Sequence, residues 1–176
     1  MKNLTIVIFS IAFVLKAWPH ESEHHYFFDG VLTQTESFVF NIQDGATPLI
    51  KAVRQRSLPE VKRLVQRGAD VNEVVKQDSS PLIEACRLGY LHIAQFLVEN
   101  GADVNLHVRG DETPLIRAAW NGHLHIVKYL IENGADVNLT VRESYRLGAE
   151  KRNALRMAKI GNHGDVVSFL IENGAN

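Results

Sequence analysis

One cysteine, Cys86, stands alone in this chain. A single thiol excludes an intramolecular disulfide framework and any four-cysteine zinc site. Charge is nearly absent as a net quantity: 19 Lys and Arg against 20 Asp and Glu leave −1, with both signs interspersed along the sequence. No basic field is expected for phosphates, so neither a nucleic acid nor a membrane surface is an expected partner. Catalytic signatures are missing too, with no Gly-rich phosphate loop, no GxSxG, no HExxH and no CxxC. The longest apolar run, residues 4–15, is interrupted by Thr5 and Ser10. It falls short of the about 20 residues that span a bilayer as a helix.

What is present is a stretch that recurs. Residues 113–138 read TPLIRAAWNGHLHIVKYLIENGADVN. Thr113 is a good N-cap, and Pro114 sits at the first helical position, where its missing N–H costs nothing. Leu115, Ala118 and Ala119 then fall on one apolar face of a short helix. Asn121-Gly122 ends it, glycine supplying the left-handed backbone of a helix terminus. Ile126, Val127, Leu130 and Ile131 mark one face of a second helix, which Gly134 stops. The pattern appears three more times. Pro48, Pro81 and Pro114 are each 33 residues apart, as are Gly68, Gly101 and Gly134, while Gly174 follows after 40. A fixed period in this range signals a stack of repeats, so one elongated domain is expected.

These residues carry a resemblance. The TPLI start, the Gly122-His123 step and the GADVN ending resemble the ankyrin repeat, over about residues 46–176. The resemblance implies an all-α solenoid of helix-turn-helix-hairpin units, with repeats at about 46–78, 79–111, 112–144 and 152–176. Where the family has His after Thr-Pro-Leu, this chain has Ile50, Ile83 and Ile116, so apolar packing is expected there instead of a histidine hydrogen bond. Cys86 takes the place of a small family residue and reads as a buried hydrophobe.

The repeats deviate in instructive ways. In the first, Arg56 replaces the usual Gly, and Ser57-Leu58-Pro59-Glu60 reads as a capping box that starts the second helix by another device. In the second, Ser80-Pro81 stands for Thr-Pro and Gly89-Tyr90 for Gly-His. The fourth follows an enlarged loop, residues 139–152. There Asn153 is the N-cap, and Asn162 replaces Gly at a left-handed position that Asn tolerates. This last repeat is expected to act as the C-terminal cap.

Ahead of the repeats, residues 1–17 read as a secretory signal peptide, from Lys2 and the apolar run, with cleavage between residues 17 and 22. An uncleaved anchor is the other reading. Residues 18–45 form a tether and N-terminal cap. Within it His20, Glu21, Glu23, His24 and His25 suggest metal capture, but a metal site needs a fixed scaffold, so a solvated tether is preferred. Phe27, Phe28, Val31 and Leu32 keep a helical period, while Phe38, Phe40 and Ile42 alternate like a strand. Covering the open side of the first repeat explains them better than an aromatic ligand cage.

Candidate chemistry is otherwise sparse. His123 belongs to the turn and is expected to support it; His92, His107 and His125 have no motif context. Asp70, Asp103 and Asp136 recur once per repeat, which argues for loop-shaping hydrogen bonds. The expected role is a non-enzymatic protein-protein interaction module, periplasmic or secreted, with no cofactor and no stable membrane insertion after signal removal. Alternatives are an extracytoplasmic metal-binding protein using the His-rich tether, and a secreted effector that binds a foreign protein. In the resembled family, partners dock on a concave face of hairpin tips and first helices. That places Lys76, Gln77 and Ser79 on one tip, Arg109, Gly110 and Glu112 on the next, and Arg54, Gln55, Arg87, Leu88, Trp120 and Asn121 on the first helices. Trp120 reads either as an interface anchor or as packing against the neighbouring hairpin or long loop.

Overall fold

The computed structural model describes residues 46–75, 79–108, 113–141 and 151–176. They fall within the compact unit Asp44–Asn176. Among these residues the regular structure is helical, in four consecutive pairs: α1 (Pro48–Arg54) with α2 (Leu58–Gln66), α3 (Pro81–Leu88) with α4 (Leu91–Glu99), α5 (Pro114–Trp120) with α6 (Leu124–Glu132), and α7 (Ala154–Ile160) with α8 (Gly164–Glu172). A single isolated antiparallel bridge joins Val141 to Arg152 across the enlarged loop. The cap expected over residues 18–45 and the signal peptide lie outside the described residues.

The first helix of every pair starts by the same local chemistry. Thr47, Ser80, Thr113 and Asn153 each accept, through a side-chain oxygen, the backbone N–H three residues on. That satisfies one of the orphan donors every helix start leaves. The second helices start differently. The backbone N–H of Ser57, Tyr90, His123 and His163 reaches back five residues to Ala52, Ala85, Ala118 and Ala158, each at 3.0 Å. This closes the first helix with a Schellman motif whose left-handed residue is Arg56 (φ 55°), Gly89 (78°), Gly122 (73°) or Asn162 (59°). The capping box expected at Ser57 does not form: its side chain makes no cap bond. Glu60 instead holds Arg63, whose Nε donates to the carboxylate at 2.7 Å. The i,i+3 geometry of a started helix brings these two side chains together more readily than the reach back to the cap.

Packing runs in two layers. First helices stack on first helices and second on second, each pair also packing internally. Ile50, Ile83 and Ile116 are almost completely buried, so apolar packing does replace the family histidine there. Leu82, Leu97, Leu115, Ile126, Leu130 and Leu170 fill the same seam. Fully burying such a side chain contributes about 1.5–3 kcal/mol, and no pair could bury its own stripe without the next.

Candidate functional site

Stacking buries most of each first helix; the seventh position stays half-buried or exposed in every pair, whereas the fourth is half-buried at Lys51 and Arg117 but buried at Glu84 and Met157. The fourth residues (Lys51, Glu84, Arg117, Met157) and the seventh (Arg54, Arg87, Trp120, Ile160) lie three apart, on one face. In neighbouring pairs these positions line up, making a row across the first-helix layer.

One end of the row is ionic. Glu84 keeps only 3% of its side chain exposed and receives Arg54 Nε at 2.7 Å. Arg87 adds a two-pronged contact, Nε to one carboxylate oxygen at 2.9 Å and Nη2 to the other at 2.8 Å. Burial pushes the Glu84 carboxyl up, but the bonds from Arg87 and Arg54 outweigh it and hold it below the usual range. Arg54 and Arg87 are thus tied across two pairs.

The other end is apolar. Trp120 is 37% exposed and Ile160 58%, both large side chains at matching positions of adjacent helices. The carbonyl of Trp120 is fixed by His163 Nε2 at 2.9 Å. A Cβ at Gly161 would come within 2.6 Å of that same carbonyl, so this close approach requires glycine.

Of the other residues assigned from sequence, Leu88 is half-buried and Asn121 is exposed, with Asn121 Nδ2 donating to the Arg117 carbonyl at 2.9 Å. Lys76, Gln77, Arg109, Gly110 and Glu112 lie outside the described residues. Ser79 is not a tip residue: it is 3% exposed, with Oγ donating to the Ser80 carbonyl. It sits one residue before the N-cap Ser80, at the buried start of α3. Ile160 was missed from sequence, although its register with Trp120, 40 residues earlier, points to it. The interspersed charge was also an incomplete reading. The first helices carry Lys51, Arg54, Arg87, Arg117, Arg156 and Lys159 against Glu84 alone, a net of +5. The second helices carry Lys62, Arg63 and Lys128 against five acids, a net of −2. Folding sorts what the linear chain mixes.

The repeated polar residues do structural work. Asp70, Asp103 and Asp136 accept the backbone N–H of Asn72, Asn105 and Asn138, as expected for loop-shaping bonds. Those asparagines then bridge to the next unit, Nδ2 donating to Gly101, Gly134 and Gly174 carbonyls at 2.9, 3.0 and 2.9 Å. His123 braces the turn of the preceding pair rather than its own, its ring against Gly89 and Nε2 3.2 Å from the Arg87 carbonyl. Where Arg56 replaces glycine, Tyr90 replaces the histidine, and the Arg56 guanidinium lies 5.3 Å from the Tyr90 ring centre. On the second-helix layer, Lys62 sits over Phe96 and Lys128 over Phe169 at 5.6 and 5.3 Å.

Cys86 is fully buried, and burial pushes its thiol pKa far up, which removes the thiolate that reactivity needs. Among the described residues no three His, Cys, Asp or Glu side chains converge as metal ligands. No helix among them is long and apolar enough to cross a membrane. His107, Asn105, Leu139, Thr140, Val141 and Lys151 line one open cleft beside the enlarged loop. The His20 to His25 cluster lies outside the described residues.

Comparison with known proteins agrees with this architecture. The family model described as ankyrin repeats (3 copies) matches three times, over residues 26–108, 80–141 and 108–176. A search of curated proteins finds no match.

Proposed function

This chain belongs to the ankyrin repeat family, a family of protein-protein interaction modules, and we propose that it acts as a non-enzymatic binder using its first-helix row. One observation carries this reading. Trp120 and Ile160 are large, apolar and exposed at matching positions of adjacent helices, beside arginines held in place by Glu84. A solvated helix face gains nothing from such residues, whereas a protein interface uses aromatic and arginine anchors at its centre. Among the described residues Cys86 is buried, and His123 and His163 are engaged with backbone carbonyls of the preceding pairs.

The proposed site of action is outside the cytoplasm. Lys2 and the apolar run of residues 4–15 support export through a signal peptide, and hence a periplasmic or secreted binder. N-terminal sequencing of the protein from extracellular or periplasmic fractions should begin between residues 18 and 26; an intact Met1 terminus in soluble cytosol would refute export. The binding face is tested in the same compartment with a photoreactive residue at position 120, on the row, or at position 132, on the second-helix layer. Crosslinking to another protein is expected from position 120 and not from 132. Crosslinks confined to 132 would move the site to the other layer.

A further inference from the structure

Four asparagines are each followed by glycine: Asn100, Asn121, Asn133 and Asn173. All four are exposed to water. Asparagine is thermolabile, and a following glycine, lacking a side chain, leaves its own nitrogen unhindered and its backbone free to turn. We infer that these are latent deamidation sites, each silenced by its helix end and guarded by a side chain of the adjoining helix pair.

The reaction needs only water. The glycine nitrogen bonds to the asparagine Cγ, the Cγ–Nδ2 bond breaks, and ammonia leaves with the glycine amide proton. Water then opens the succinimide ring at either carbonyl, giving aspartate or its β-linked isomer. The folded chain opposes ring closure locally. Each asparagine is a helix C-cap, with ψ of 19°, 3°, 20° and 19° in chain order, and the ring closes only after ψ rotates well away from these values. The glycine N–H that must be given up donates to the carbonyl three residues back, at 3.0, 3.3, 3.0 and 3.0 Å. The asparagine Nδ2 donates to the carbonyl four residues back, at 2.7, 2.9, 2.8 and 2.8 Å.

Neighbouring units hold these steps in place. Asn72, Asn105 and Asn138 donate through Nδ2 to the Gly101, Gly134 and Gly174 carbonyls. Their Oδ1 atoms accept the backbone N–H two residues past each glycine, at 2.8, 2.8 and 3.1 Å. At Gly122 the hold comes from the following pair, whose His163 ring occupies the space a Cβ would take. Opening a unit breaks its neighbour's grip and frees the step to react. Deamidation then makes the opening one-way. Aspartate has no Nδ2–H for the helix carbonyl and brings a negative charge to a helix C-terminus, where the dipole opposes it. The β-linked isomer lengthens the main chain by a methylene. At Asn121 the new charge also falls next to Trp120 on the first-helix row.

Peptide mapping by mass spectrometry, on the full chain incubated at pH 8, tests this. All four steps should react at least about tenfold more slowly in the native chain than in the same chain held in denaturant, because reaction waits for local opening. Asn105→Ala should speed deamidation at Asn133 several-fold and leave Asn100 and Asn173 unchanged. His163→Ala should do the same for Asn121. If either variant fails to fold, Asn138→Ala puts the same question to Asn173. Native rates equal to those in denaturant would overturn the silencing. An equal rise at all four steps in a folded variant, or no rise at any, would overturn the guarding by neighbours.

Discussion

The seams between helix pairs and the row across the first helices are built from the same units, yet they obey opposite rules. At the seams the same bond recurs at nearly the same length: asparagine to glycine carbonyl at 2.9, 3.0 and 2.9 Å. The third of these joins units that the enlarged loop separates in sequence, and its length is nearly the same as in the other two. Along the row no seventh position repeats its chemistry except the arginine pair: Arg54, Arg87, Trp120, Ile160. Repetition marks what every unit needs in order to stack. Variation marks what only the whole surface needs. A residue that changes from unit to unit while staying exposed is free of the stacking constraint, which makes it available for recognition.

The sharpest way to break the comparison is at a seam. Leu130 is fully buried between pairs, and Leu130→Ala should cost about 2–5 kcal/mol in denaturant unfolding. An unchanged midpoint would mean that the stack does not carry the stability. Next comes the ionic end of the row, where a charged residue of that face, Glu84, is buried. Glu84→Gln should cost about 1–3 kcal/mol at neutral pH, because the arginines lose a charged acceptor. The pH dependence follows from the sign of the shift. Glu84 is held below its ordinary range, so its contribution is present above the unfolded-state glutamate pKa and is lost as pH falls below it. Midpoints of parent and variant should thus converge as pH drops from 7 to 3; parallel curves would show that Glu84 is not the linked group. Gly134→Val should cost about 1–3 kcal/mol through backbone strain alone. Its φ is +87°, and no atom lies within 4 Å of a Cβ placed there, so the backbone conformation is the source of the cost.

Much of this was legible in the sequence, for a physical reason. The 33-residue period, the Thr-Pro starts and the glycine stops are local signals, each acting within about one helical turn. They fix the helices, the pairing and the buried Ile50, Ile83 and Ile116. Asn162 was readable as a left-handed substitute because it falls in glycine's place, whereas Arg56, read as a break in the pattern, takes the same left-handed conformation. What escaped depends on neighbours from other units. The buried Glu84 looks like a surface charge until Arg54, thirty residues away, is packed against it. Ser79 looks like a loop tip in the sequence, yet it is 3% exposed. The sorting of cations to one layer is invisible in a net charge of −1. Ser57 failed in the opposite sense, since its local signature was complete and the structure used the backbone instead.

The smallest expected effect on stability falls where the two regions separate most cleanly. Trp120 is only 37% exposed, so most of its ring is packed, and Trp120→Ala should lower both the thermal midpoint and affinity. That variant alone cannot distinguish an anchor from a packing residue. Ile160 can, because 58% of it is exposed and the fixed turn beneath it is made by backbone groups and His163. Ile160→Ser should shift stability by no more than about 0.5 kcal/mol, the usual range for a surface change. On the partner-binding side the same change removes an apolar contact beside Trp120, and should weaken binding by about 1 kcal/mol or more. Thermal unfolding and a binding titration on one preparation check both halves. If Ile160→Ser instead drops the midpoint by several degrees and spares affinity, Ile160 belongs to the seam, and the apolar end of the row is a packing feature.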